Sequence, residues 1–241
     1  MNGRSSFSLL FGILSGLLIA PLSGFGASMI VVQPISICSD AGGDCSNSGG
    51  QYFETETDKI WNQADIDISF LPMVEFHSTA FQDINTSEFN SLASTPGHGQ
   101  HVTSTVLNMW FLDEIDAGAV SGLAFVGGNG VAIANRVFTD ADGAGRRDTI
   151  AHEIGHNLGL DHTLESDLRL MAPGTIRKIP TSPVNIFPDG LMGAQLTQAE
   201  INTALASPLV VPVPEPVAFA SAALLLCGFV VFRRRSTRIE A

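Results

Sequence analysis

The apolar positions of this chain follow three patterns. Runs rich in β-branched residues, "SMIVVQPISI" (28–37) and "TVLNMWFLDEI" (105–115), predict strands, and "DIDISFLP" (65–72) alternates polar and apolar residues as a half-buried strand does. "GLAFVGGNGVAIANRVF" (122–138) reads as two short strands meeting at a glycine-rich turn. A second pattern has helical spacing. "ETETDKIWNQA" (54–64) sets Ile60, Trp61 and Ala64 on one side, a helix opening near Asp148 or Thr149 runs through "IAHEIGHNL" to Gly159, and "LTQAEINTALA" (196–206) predicts a last helix with capping-box spacing at Thr197 and Glu200. Residues 72–104 have no clear period and are rich in Ser, Thr, Gly and Asn, which predicts a long surface loop or an irregular insertion.

The third pattern is the long uncharged run, and it occurs at both ends. "FSLLFGILSGLLIA" follows Arg4 and precedes the small residues "PLSGFGA", the layout of a secretory signal over residues 1–27. At the other end the stretch 217–232 passes directly into Arg233, Arg234 and Arg235, a transmembrane segment with a basic cytoplasmic end. Both ends predict export of the middle, with a globular domain over 28–208 and a tail over 209–241.

Without Arg4, Arg233, Arg234, Arg235 and Arg238, seven basic residues remain in the middle against 22 acids, a net charge of −15. Such a surface repels phosphate backbones and argues against nucleic acid as a partner. Of the three cysteines, Cys227 lies in the apolar tail, whereas Cys38 and Cys45 bracket the flexible "SDAGGD" and can close a disulfide in an oxidising compartment.

Three of the six histidines gather in "HEIGHNLGLDH" (152–162). His152 and His156, four apart on a helix, project from one face about one turn apart and can reach one ion. Glu153 flanks that face, placed to accept a proton from water without being a ligand. Had the helix continued, His162 would point away; a turn at Gly159 brings it back. Three nitrogens around one ion leave a fourth tetrahedral position open, the arrangement of a catalytic zinc.

"HEIGHNLGLDH" resembles the elongated zinc-binding motif of the metzincin metallopeptidases, its "GLDH" ending being most similar to the matrixin-type members. The resemblance implies an α+β fold: a mixed, mostly parallel sheet with an active-site helix, a methionine turn and a C-terminal helix. It implies a zinc endopeptidase acting on protein or peptide substrates, with His152, His156 and His162 as ligands and Glu153 as general base. Met171 in "LRLMAPG" takes the place of the Met-turn methionine, with Met192 as a more distant alternative. "GVAIANRVF" would be the edge strand that pairs with an extended substrate, and the residues after Met171 would wall the pocket for the side chain just past the cleaved bond. The sole tyrosine is Tyr52, so the extra tyrosine ligand of the astacin and serralysin branches is missing, and no cysteine-switch propeptide is recognisable.

Pro214, Glu215 and Pro216 ahead of the apolar tail resemble the PEP-CTERM sorting signal of Gram-negative bacteria, which implies processing by an exosortase and a place in the envelope or extracellular polymer. His77, His98 and His101 read as structural. "DADG" (140–143) is oxygen-rich and suits calcium or a solvated turn. The rival function is a catalytically silent metal-binding matrix or adhesion protein.

Overall fold

Strand β1 (Ser28–Cys38) is the spine on which the sheet is built. The computed structural model describes residues 27–47, 49–140 and 142–213. After β1 come α1 (Glu54–Trp61), β2 (Ile66–Phe70), β3 (Val74–His77), β4 (Asp83–Ile84), α2 (Thr86–Ser94), β5 (Val106–Leu112) and β6 (Glu114–Ile115). These are followed by β7 (Gly122–Ala124), β8 (Val131–Ala134), α3 (Arg136–Thr139), α4 (Thr149–Asn157), α5 (Gln198–Leu205) and β9 (Val211–Pro212). The main sheet runs β2-β1-β5-β8-β7; β3 and β9 also pair with β1, while β4 and β6 form a separate pair. Pairings of β1 with β2, β3 and β5 and of β5 with β8 are parallel; β7 with β8 and β9 with β1 are antiparallel. The fold is thus mixed α and β with a mostly parallel sheet.

Alternation along each central strand divides two cores. Ile30 and Val32, Leu107, Met109 and Phe111, and Val131 and Ile133 face the side that carries α1 and α4. Ile35 and Ile37, Trp110 and Leu112, and Ala132 and Ala134 face the opposite side, over Phe89 and Leu92 of α2. A parallel sheet covered on both faces reads as nearly continuous apolar runs, which is why β1 and β5 stand out in the sequence.

Three expectations change. Residues 72–104 are not one loop: they hold β3, β4 and α2, whose capping box joins Asn85 to the Ser87 and Glu88 amides and the Glu88 carboxylate to the Asn85 amide. These elements are short and mostly exposed, so little apolar periodicity marks them. Secondly, β8 is not the edge. It is fully buried between β5 and β7, and the antiparallel β7 forms the edge. Thirdly, the sheet continues past residue 208, because Val211 and Pro212 pair with Met29 and Ser28.

The signal segment, apart from Ala27, lies outside the described residues, as do Pro214–Pro216, the 217–232 stretch, Cys227 and the terminal arginines. Among the described residues no helix is long and apolar enough to cross a membrane.

Candidate active site

Helix α4 is buried along its whole length, although it carries two histidines and a glutamate. A polar helix is not buried without partners, and the partners are specific. The Nδ1 of His152 lies 2.6 Å from the Leu170 carbonyl oxygen and that of His156 2.7 Å from the Leu160 carbonyl oxygen. The Leu160 carbonyl can only accept, so His156 Nδ1 carries the proton; His152 Nδ1 faces the Leu170 carbonyl and the Arg177 guanidinium together, and the Nε2 of both rings turns inward.

His162 arrives from outside the helix. The chain leaves α4 after Asn157, and Gly159 at φ +93°, a conformation that favours glycine, reverses its direction. The Leu160 amide donates to Gly155 O at 3.0 Å and the Gly159 amide to His156 O at 2.9 Å, which closes the turn. His162 Nε2 then stands 3.2 Å from His152 Nε2 and 3.2 Å from His156 Nε2. Nitrogens held about 2.0–2.1 Å from zinc at a tetrahedral angle are separated by about 3.4 Å, so the spacing fits that ion. Burial holds His152 well below its ordinary pKa, helped by the charge of Arg177, and burial also lowers His156 and His162. All three are thereby neutral donors, the form a metal requires.

Glu153 is buried beside this group and packs against Gly122 of the edge strand. A Cβ at Gly122 would lie 2.7 Å from the Glu153 Cγ and Oε1, so a side chain at that place in β7 would displace the carboxyl. Burial pushes the Glu153 carboxyl up to about 8 against the opposing pull of Arg177. The edge strand is fastened to the helix by Asn157. Its Nδ2 donates to Phe125 O at 2.8 Å and Gly130 O at 3.1 Å, and its Oδ1 accepts from the Gly130 amide at 2.9 Å. The cleft between β7, α4 and the segment after Met171 has a volume of about 530 Å³.

Met171 lies fully buried beneath α4, and its carbonyl accepts from the Thr163 amide at 2.9 Å. Met192, the alternative, is on the surface. Cys38 and Cys45 are joined by a disulfide at the end of β1. Cys38 also falls beside Glu75 and His77, but its sulfur is committed to that bond, so these three do not make a ligand set. His98 stacks on Phe76, with its Nδ1 3.0 Å from Leu92 O, and His101 Nδ1 accepts from the Thr103 amide. Asp140 of "DADG" accepts from Arg136 Nε and Nη2 at 3.2 and 3.0 Å.

Sequence reasoning missed Arg177 and misread Asp148. Asp148 precedes α4 but makes no side-chain cap. Its carboxylate instead pairs with Arg177 Nε at 2.9 Å, both side chains being almost wholly buried. Arg177 also donates to Ala172 O at 2.9 Å, and its Nη1 lies 2.5 Å from His152 Nδ1. The pair thus joins the start of α4, the Met171 segment and a histidine. The short polar segments around both residues give no periodic sign that they are buried.

No curated protein matches the chain. Among solved structures, it is similar to archaemetzincin from Archaeoglobus fulgidus (20% identity, 64% of this chain and 94% of that one, TM-score 0.39). It is similar also to archaemetzincin from Methanopyrus kandleri (11% identity, 74% and 95%, TM-score 0.43) and to metalloproteinase-II from Bacteroides fragilis (15% identity, 77% and 54%, TM-score 0.45). Residues 55–163, from α1 through His162, match the profile of the reprolysin-like metallopeptidases of family M12B, which supports a zinc peptidase.

Proposed function

We infer that the protein is an exported zinc endopeptidase of the metzincin type that uses Glu153 as its general base. The observation that carries this reading is the convergence of three neutral imidazole nitrogens next to a buried carboxyl in an open cleft. His152, His156 and His162 would hold the ion. When bound, zinc supplies a Lewis acid that polarises a carbonyl and acidifies water.

The rest falls to the chain. Among the described residues no strand lies on the outer side of edge strand β7, along which an extended peptide can lie as an added strand. The ionised form of Glu153, which a cation held by the three histidines would favour, takes the proton of the attacking water on its carboxylate and returns it to the departing amine. A closed structural site would gain nothing from that carboxyl. Export is supported by the signal-like start and the PEP-CTERM-like tail, and the Cys38–Cys45 disulfide suits an oxidising compartment. Retention at a Gram-negative envelope or release into its polymer after exosortase processing completes the reading.

The test measures zinc in the full-length protein and cleavage of casein and peptide libraries, beside Glu153→Gln. We expect both forms to hold zinc and the variant to lose about 10²–10⁴-fold in rate. Zinc in both forms with no peptide cut by either would overturn the peptidase reading in favour of a metal-binding matrix protein.

A further inference from the structure

The cleft beside Glu153 is lined by Arg136, Arg146 and Arg177, three of only seven basic residues between 28 and 213 in a strongly acidic chain. Two of them are already matched. Arg177 is paired with Asp148 at 2.9 Å, and Arg136 is held by Asp140 at 3.0 Å. Arg146 is not. Asp140, the one acid within 4 Å of it among the described residues, lies 3.9 Å away and already serves Arg136. The Nε of Arg146 is buried with no hydrogen-bond partner among the described residues. Burial and the like charge of Arg177 push its pKa down, against the opposing pull of Asp148 and Asp140.

Two neighbours keep the space around it open and polar. Arg146 Nη2 would be 3.3 Å from a Cβ at Gly174, so a side chain there would crowd the guanidinium where both residues line the cleft. Thr149 lines the same cleft, and its hydroxyl is buried with no partner among the described residues. The remaining acids facing the cleft are Glu153, reserved for proton transfer, and Asp161, exposed next to His162. Gly174 and Thr175 belong to the segment expected to wall the pocket just past the cleaved bond.

We propose that Arg146 and Thr149 form a carboxylate-binding subsite beside the scissile bond, so that the enzyme selects substrates presenting an acidic residue there. A guanidinium can grip a carboxylate in a bidentate pair, and the amide isostere forfeits the charge and one acceptor. The proposal rests on the peptidase reading. The carboxylate can come from an Asp or Glu side chain or from a chain terminus, and both present the same two oxygens.

The experiment uses the full-length protein and peptides differing only by Glu against Gln, or Asp against Asn, at each place along an otherwise neutral sequence, with free or amidated C-termini. Cleavage is read by mass spectrometry, and binding by fluorescence anisotropy on the Glu153→Gln variant. We expect acidic peptides to be bound and cut about tenfold or more better than their amides at one place next to the cleavage site. Arg146→Gln should bring that ratio near one, and Arg146→Lys should keep part of it. A preference that follows the free C-terminus rather than the side chain assigns the subsite to a terminal carboxylate. A ratio near one in the wild type, or a preference that survives Arg146→Gln in folded protein, overturns the proposal. If no peptide is cut but acidic peptides still bind better, the peptidase reading falls and the subsite stands.

Discussion

Gly155 and Met171 touch through the space a side chain would fill: a Cβ at Gly155 would come within 2.6 Å of the Met171 sulfur. The glycine lies between the two helical histidines, and the methionine packs against its bare backbone. This contact sets how closely α4 approaches the Met171 segment, which supplies the Leu170 carbonyl that orients His152.

Gly155→Val should therefore push the two segments apart. We expect a loss of about 1–3 kcal/mol in urea denaturation and a weaker hold on zinc in a chelator competition. Unchanged zinc affinity would show that the methionine contact does not position the ligands.

Arg177→Met removes one member of a buried ion pair and strands the Asp148 carboxylate. Such a change costs about 3–5 kcal/mol, whereas Arg177→Met combined with Asp148→Leu, both charges being gone, should recover much of it. A double-mutant cycle measured by denaturant unfolding checks this. Equal losses in the single and double variants would rule out the pairing as the cause.

Asn157→Ala leaves the Gly130 amide without its partner, while the Gly130 carbonyl keeps the Phe125 amide at 3.3 Å and the Phe125 carbonyl keeps only the Gly128 amide at 3.5 Å. The expected loss is about 1–3 kcal/mol for each group left buried and unsatisfied. Because these bonds fix the hairpin bearing β7, we also expect KM for peptides to rise more than kcat falls.

Glu153 links stability to pH. Its carboxyl gives up its proton near the ordinary 4.5 when unfolded and near 8 when folded, so the unfolded chain binds fewer protons between those values. The three histidines, held below their ordinary pKa in the fold, add the opposite trend below about 6.5 in both forms, so the chelator-treated protein should lose stability relative to Glu153→Gln as pH rises from about 4.5 to about 8. Melting temperatures should favour the variant at pH 8 and converge near pH 5. A gap that stays constant over this range would rule out burial of the carboxyl as its source.

The histidine group was legible because its spacing is a local property: 3.6 residues per turn and one glycine suffice to bring His152, His156 and His162 together. Strands β1 and β5 were legible because both of their faces are buried. What stayed hidden depends on distant pairings. Asp148 looks like a helix cap until Arg177 claims it from 29 positions onward. β8 looks like an edge until β7 folds back across it. α2 carried a local signal in the Asn85–Glu88 pair, but too few apolar residues to draw attention to it.

β9 joins the first residues of β1, and the amide of Val213 donates to Ala27 O at 2.8 Å. Both covalent exits from the folded body therefore share one corner. A tether at either end, or at both, pulls on the same corner, where β9 is held by two residue pairs and β1 by its pairing with β2 and β5. The same closeness makes a circular permutant workable: joining 27 to 213 through a short linker and opening the chain at an exposed loop should preserve the catalytic cleft.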